Sequence, residues 1–390
     1  MPFPHPSSIQ EAPVTRRLGT ALDSLNSSGL SWVRKIMCLS ILPLLLLAHG
    51  LPADAPTQRD DRAPIPVLAY YYIWYNPTSW SQAKTDYPLL GRYSSDEGEV
   101  MRTQIRWAKE AGIDGFIVSW KSTEALNRRL EKLVAIADAE DFKLAIVYEG
   151  LDYERQPQPV ERVAADLDFF LDRYATDKAF DMFGKPLIIW FGTWEYSPQD
   201  VAQVTSPRRD RLLILAGEKN LVGYERLADL IDGDAYYWSS VNPDTFPDYP
   251  QKLNDMAKAV HDHGGMWIAP AAPGFDARLV GGTTVVDRKD GATLRQQMDA
   301  AFGASPDAVG LISWNEFSEN THIEPSKNFG TRYLEVLADI LGAPAPRAGD
   351  FDSSEPAATG TSYGLPLLGG LAALILVGLV IIKWRSSRRD

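Results

Sequence analysis

Two glutamates three residues apart, Glu316 and Glu319, stand in the run Trp314-Asn315-Glu316-Phe317-Ser318-Glu319, just after an apolar stretch that ends near Ser313. If the chain bends there, both carboxylates can turn the same way and divide acid and base work. One would give a proton to a departing oxygen while the second acts at or near a sugar ring. Mutual repulsion and partial burial would keep one member of such a pair protonated near neutral pH. Acids also collect at helix starts, where they complement the positive end of the helix dipole. The pair therefore has to be read with its surroundings.

Between Pro64 and Leu341, short apolar runs alternate with longer amphipathic stretches. The runs that predict strands are Val67–Tyr72, Gly115–Ser119, Leu144–Tyr148, Leu187–Trp190, Leu212–Leu215, Ala235–Trp238, Met266–Ala269 and Val309–Ser313. Apolar residues at helical spacing predict helices over Glu99–Ala111, Ser122–Ala139, Val160–Tyr174, Tyr249–His263, Gly291–Phe302 and Gly330–Leu341. Strands separated by helix-length segments imply parallel pairing with helices outside, so the expected fold is α/β, a single (β/α)8 TIM barrel over residues 64–342. An open doubly wound sheet is the alternative, but no Gly-rich phosphate loop follows the first strand.

In such barrels the chemistry sits at the carboxyl ends of the strands. Those ends carry Tyr70 to Asn76, Ser119-Trp120-Lys121, Tyr148-Glu149 with Asp152 and Arg155, Trp190 with Trp194 and Glu195, Glu218, Tyr237-Trp238, Phe275-Asp276, and the acid pair itself. Flat rings beside carboxylates and amides are what a carbohydrate site needs, because sugar C–H faces pack on rings and hydroxyls need polar partners. The chain has 16 Tyr, 14 Phe and 11 Trp to supply the rings. Its 39 basic against 51 acidic residues give a net charge of -12, which argues against nucleic acid as a partner. The single cysteine, Cys38, excludes an internal disulfide. His261 and His263 are poorly spaced to share a metal from one helix face, so neither a metal nor another cofactor is expected.

The two ends read as addresses. Arg34 and Lys35 precede the apolar run Ile36–Ala48, which leads to Ala53-Asp54-Ala55, a pattern of a secretory signal within residues 1–55. Residues 343–362 are rich in Pro, Ala, Gly, Ser and Thr and read as a flexible linker. The uncharged run Leu365–Ile382 followed by Lys383, Arg385, Arg388 and Arg389 predicts a transmembrane helix over residues 363–383 with a basic cytoplasmic tail at 384–390. The barrel would then lie outside the cell membrane, held by a single span.

The segment from Trp314 to Pro325 (WNEFSENTHIEP) resembles the W-N-E-W-x-E-G-T-x-I-E-P signature of glycoside hydrolase family 99, which contains the endo-α-mannosidases. Tyr70 to Tyr75, Ala111-Gly112-Ile113-Asp114-Gly115 with Ser119-Trp120, Pro273-Gly274-Phe275-Asp276 and Arg288-Lys289-Asp290-Gly291 are similar to further segments of that family. The resemblance implies a (β/α)8 barrel that cleaves an α-glycoside, an internal α-mannosidic bond among the candidates, with retention of configuration. It implies that Glu319 is the general acid/base and that Glu316 withdraws the proton of the sugar 2-hydroxyl. Tyr71, Tyr72, Trp120, Glu149, Trp238, Arg288 and Asn315 are the residues expected to contact substrate. The chain departs from the signature where the second Trp is Phe317, a His is Ser318 and the Gly is Asn320. A silent glycan-binding module with the same rim, or a polysaccharide-cluster protein of the same barrel type, is the competing reading. A glycan-building transferase fits an external location poorly.

Overall fold

A parallel strand that is apolar on both faces must be covered on both sides, and closing eight of them into a cylinder meets that demand. The computed structural model describes residues 65–82, 84–152 and 154–344. In chain order the elements are β1 (Val67–Tyr72), α1 (Gly98–Glu110), β2 (Gly115–Trp120), α2 (Glu124–Ala139), β3 (Lys143–Glu149), α3 (Val160–Tyr174) and β4 (Leu187–Phe191). There follow α4 (Pro198–Thr205), β5 (Leu213–Ala216), α5 (Leu221–Glu225), β6 (Gly233–Ala235), α6 (Tyr249–Asp262) and β7 (Met266–Ala271). The short strands β8 (Phe275–Asp276) and β9 (Val285–Val286), then α7 (Ala292–Gly303), β10 (Ala308–Leu311) and α8 (Arg332–Leu341), complete the described chain.

Seven parallel neighbours run from β1 through β7, and β10 closes the cylinder between β7 and β1. β8 and β9 form a separate antiparallel ribbon in the loop between β7 and α7. The open-sheet alternative is thereby excluded. The signal segment, most of the linker, the predicted transmembrane helix and the tail lie outside the described residues. Among the described residues no helix is long and apolar enough to cross a membrane.

Side chains alternate strictly along the strands, and this separates two cores. Leu68, Tyr70, Tyr72, Ile117, Val147, Ile189, Leu215 and Ile268 fill the inside of the cylinder. Val67, Ala69, Tyr71, Val118, Trp120, Ile146, Tyr148 and Trp190 pack outward against the helices.

Strand six is shifted from its expected place, ending at Ala235 rather than spanning Ala235–Trp238. It starts at Gly233, whose φ is +148° and where an added Cβ would stand 2.0 Å from the carbonyl oxygen of Met266, so only glycine permits the approach of β6 to β7. Tyr236 to Ser240 are thereby released to the rim. Two short helices, α4 and α5, lie outside the helices expected from the sequence. One of them, α4, starts at a reciprocal capping box between Ser197 and Asp200 with Pro198 in the first turn.

Candidate active site

The loop that carries the acid pair is built by hydrogen bonds that continue the barrel after its last strand has stopped. The β1–β10 ladder ends at the pair Ala69 and Leu311. Beyond it the amide of Trp314 donates to the Tyr70 carbonyl at 2.8 Å. Next, the Asn315 side chain stands in for a strand: its Oδ1 accepts from the Tyr72 amide at 2.8 Å and its Nδ2 donates to the Tyr72 carbonyl at 3.0 Å. The Asn315 carbonyl accepts from the Tyr75 hydroxyl at 2.5 Å.

The turn that follows is tied from within and from outside. Ser313 Oγ accepts from the Glu316 amide at 2.8 Å, and Glu316 Oε1 accepts from the Ser318 amide at 2.8 Å. The Asp276 amide, in the small ribbon, donates to the Glu319 carbonyl at 2.7 Å. Asn320 takes φ +55°, a left-handed conformation that asparagine adopts more readily than most residues, which accounts for its place where the signature has glycine. Phe317, standing where the signature has tryptophan, stacks on the His322 ring at 4.0 Å and meets Trp80 edge-on.

Both carboxylates are thus turned inward, Glu316 with 2% and Glu319 with 0% of its surface exposed. The hydroxyls of Tyr72 and Tyr237 are pushed well above the usual tyrosine value, by burial first, then for Tyr72 by Tyr237 ahead of Glu316 and Glu319, and for Tyr237 by Glu319 ahead of Glu316. The two hydroxyls are 2.8 Å apart. Tyr72 and Tyr237 in turn line a narrow cavity, with about 40 Å³ open to the centre of a water-sized sphere, at the carboxyl ends of β1, β3, β4 and β6. Tyr70, Trp74 and Phe191 supply its other rings, and Glu149, Asp152 and Arg155 its polar wall. Glu149 Oε1 accepts from Ser119 Oγ at 2.8 Å. Burial lowers the pKa of Lys121 and of Arg155, and the negative field of Glu149 opposes that at both.

Of the residues expected to contact substrate, Tyr72 and Glu149 line this cavity, and five others do not. Tyr71 points to the opposite face of β1, where it stacks on Phe116 at 4.5 Å and donates to Gln104 Oε1 at 2.6 Å. Trp120 faces the helices and donates to Asn127 Oδ1 at 2.9 Å. Trp238 packs outward on Tyr236, Phe246 and Tyr249, while its neighbour Tyr237 faces the cavity. The Asn315 amide is committed to the Tyr72 backbone. Arg288 is buried between the rings of Phe329 and Tyr333 and donates to the carbonyls of Asn320 and His322 at 2.8 and 2.7 Å. It staples the far side of the acid-bearing loop. Tyr70, Trp74, Asp152, Arg155 and Tyr237 stand among the strand-end residues in sequence, yet only the folded chain reveals which way they point. His261 and His263 close α6, each beside its own aspartate, Asp307 at 3.1 Å and Asp229 at 3.9 Å.

Two further acid–base groups hold the loop. His322 meets Asp86 at 3.1 Å; burial, then the Arg288 charge, lowers its pKa to about 4. Glu324 accepts from Tyr93 and from Gln104 Nε2, both at 2.9 Å, while Asn315 Nδ2 donates to the same Tyr93 hydroxyl at 3.2 Å. A hydrogen-bonded path thus runs from α1 through Glu324 to the residue before Glu316.

The family model described as glycosyl hydrolase family 99 matches residues 76–338. The human glycoprotein endo-alpha-1,2-mannosidase-like protein is 25% identical over 277 residues, which are 64% of this chain and 60% of that protein. The rat glycoprotein endo-alpha-1,2-mannosidase is 22% identical over 64% of this chain and 59% of its own length. The chain therefore spans about 60% of these relatives. The solved GH99 endo-alpha-mannosidase of Bacteroides thetaiotaomicron shares the fold, with a TM-score of 0.64 at 22% identity over 72% of this chain and 97% of its own.

Burial pushes Glu324 up to about 8, although the hydrogen bonds from Gln104 and Tyr93 favour its anion. The unfolded chain ionises this carboxyl near about 4.3, so its contribution to stability is complete below that pH and is lost as the pH rises to about 8. Urea unfolding between pH 5 and pH 8 should show a steeper loss of stability for the wild type than for Glu324→Gln. The difference in slope would be at most about 1.4 kcal/mol per pH unit. Equal slopes would mean that the buried carboxyl is already ionised in the folded protein.

Proposed function

As this chain belongs to glycosyl hydrolase family 99, we propose that it hydrolyses α-glycosidic bonds within glycans, with retention of configuration, and that α-mannosides are the first class to try. The observation that carries this reading is the buried pair Glu316 and Glu319 beside an open, ring-lined cavity at the carboxyl ends of the barrel strands. A glycan seated there would lay its apolar faces on Tyr70, Tyr72, Trp74 and Phe191 and its hydroxyls against Glu149, Asp152 and Arg155.

In the first step Glu316 takes the proton of the sugar 2-hydroxyl and the freed oxygen attacks the anomeric carbon. The bond to the leaving oxygen breaks as Glu319 delivers its proton there. In the second step Glu319 removes a proton from water, which attacks the anomeric carbon and opens the anhydrosugar, while Glu316 returns its proton to the 2-oxygen. Two inversions give net retention. The Tyr72 and Tyr237 hydroxyls, adjacent to both carboxylates, are placed to hydrogen-bond the reacting sugar or the water. Similarity to the mannosidases also motivates the choice of substrate, although they are longer proteins.

The leader Ile36–Ala48 and the run Leu365–Ile382 support an external, membrane-held barrel. On intact cells producing the full chain, a membrane-impermeant amine reagent should label barrel lysines, and labelling only after lysis would refute that location.

With an α-linked mannan and glucan panel, wild-type chain should release oligosaccharides whose new reducing ends appear first as the α anomer by NMR. Glu319→Gln should keep its folding midpoint and lose about 10²–10⁴-fold in kcat/KM. Undiminished turnover in that variant would remove Glu319 from the chemistry, and glycan binding without product from wild type would instead favour a recognition module.

A further inference from the structure

Two carboxylates buried three residues apart repel each other, and each loses the hydration that would otherwise make its charge tolerable. The reaction proposed above, on which this inference rests, needs one of the two charged and the other protonated at the same moment. Something in the site must break the symmetry between them.

Lys84 stands where it can do so. It lies in the loop after β1, between the short turn Ser79–Ser81 and Asp86, and it is half-buried. Its ammonium donates to Ser318 Oγ at 2.8 Å, and the Ser318 amide donates to Glu316 Oε1 at 2.8 Å. The same residue therefore accepts the lysine on its side chain and grips the carboxylate with its backbone. Burial lowers the Lys84 pKa, and the negative field of Glu316 opposes that shift, so charge on the one favours charge on the other. Among the described residues, Glu316 also acts on the hydroxyls of Tyr72, Tyr75 and Tyr237, three phenols that burial pushes well above the usual tyrosine value and keeps neutral at ordinary pH. Lys84 is the cation among these groups.

We propose that Lys84 is a positioning residue for Glu316: through Ser318 it orients that side chain and holds it as the carboxylate, the form its role as base requires. Lysine suits this task better than arginine would, since a compact ammonium on a flexible stem can reach one hydroxyl without demanding a second planar partner. Lys84 is far from the pair in sequence and comes from the first strand's loop, so Glu316 would be held in this way only once the barrel has closed.

The test is a ¹³C NMR titration of the full chain labelled at the glutamate carboxyls, with the Glu316 resonance identified by its loss in Glu316→Gln. Lys84→Met should raise the Glu316 midpoint by about one pH unit or more, as expected when a nearby opposite charge is removed. Lys84→Arg should restore most of that shift, and the acid limb of the kcat/KM profile should move with the midpoint. An unchanged midpoint in Lys84→Met would overturn the proposal. Should Lys84→Met fail to fold, Lys84→Gln carries the same prediction. The titration needs no substrate: if no glycan is ever cleaved, the hydrolase reading fails while the midpoint still decides the role of Lys84.

Discussion

The site depends on one side chain behaving as a piece of backbone. A peptide group offers an N–H donor and a C=O acceptor, and the amide of asparagine offers the same pair with one N–H to spare. Asn315 presents both to Tyr72, accepting from its amide and donating to its carbonyl, at the point where the regular ladder between the last strand and the first has run out. The barrel is thereby closed one step further toward its rim without another strand. The chain is then free to turn, and the next residue is Glu316. Nearly every other feature of the site either supports that turn or uses what it delivers.

Support comes from three directions. Arg288 holds the carbonyls of Asn320 and His322 from the loop after the small ribbon, and the Asp276 amide holds that of Glu319. Glu324 and Tyr93 anchor Asn315 from the side of α1. All are hydrogen bonds made by buried groups, and those of Arg288 and of the Asp276 amide satisfy carbonyls that would otherwise be costly to desolvate. Such rigidity matches the chemical need, since carboxylates serving one sugar have to be held to a fraction of an ångström. Of the rings of the cavity wall, Tyr70, Tyr72 and Phe191 sit on β1 and β4, while Trp74 and Tyr237 follow directly on the ends of β1 and β6.

Much of the fold was legible before any coordinates, and the reason is physical. Eight apolar runs at regular spacing admit few arrangements, and the strand-end rule then points to the rim. What was not legible is the direction of each side chain. A parallel strand in a barrel is apolar on both faces, so alternation leaves no polarity signal to separate inside from outside. Tyr71 beside Tyr72, and Trp238 beside Tyr237, are chemically near-equal neighbours with opposite fates. Arg288 and Asn315 illustrate a second blind spot. By residue type they look like ligand-binding groups, but Arg288 donates from Nη2 to two carbonyls of the acid-bearing loop, and Asn315 bonds the backbone of a residue 243 positions away in sequence. Lys84 was missed for the same reason, since its partner Ser318 lies 234 positions further on. The departures from the family signature were visible in sequence, yet the φ of Asn320 and the stacking of Phe317 explain them only in the fold.

The central claim is that the turn set by Asn315 holds Glu316 and Glu319 behind Tyr72 and Tyr237, beside the ring-lined cavity proposed to seat a glycan. A crystal structure of the Glu319→Gln chain with an α-linked manno-oligosaccharide would test it most directly. The account predicts sugar rings stacked on Tyr72 and Trp74, with a glycosidic oxygen within hydrogen-bond reach of residue 319 and a 2-hydroxyl at Glu316. An oligosaccharide bound elsewhere on the barrel, with neither carboxyl position near any linkage, would contradict it.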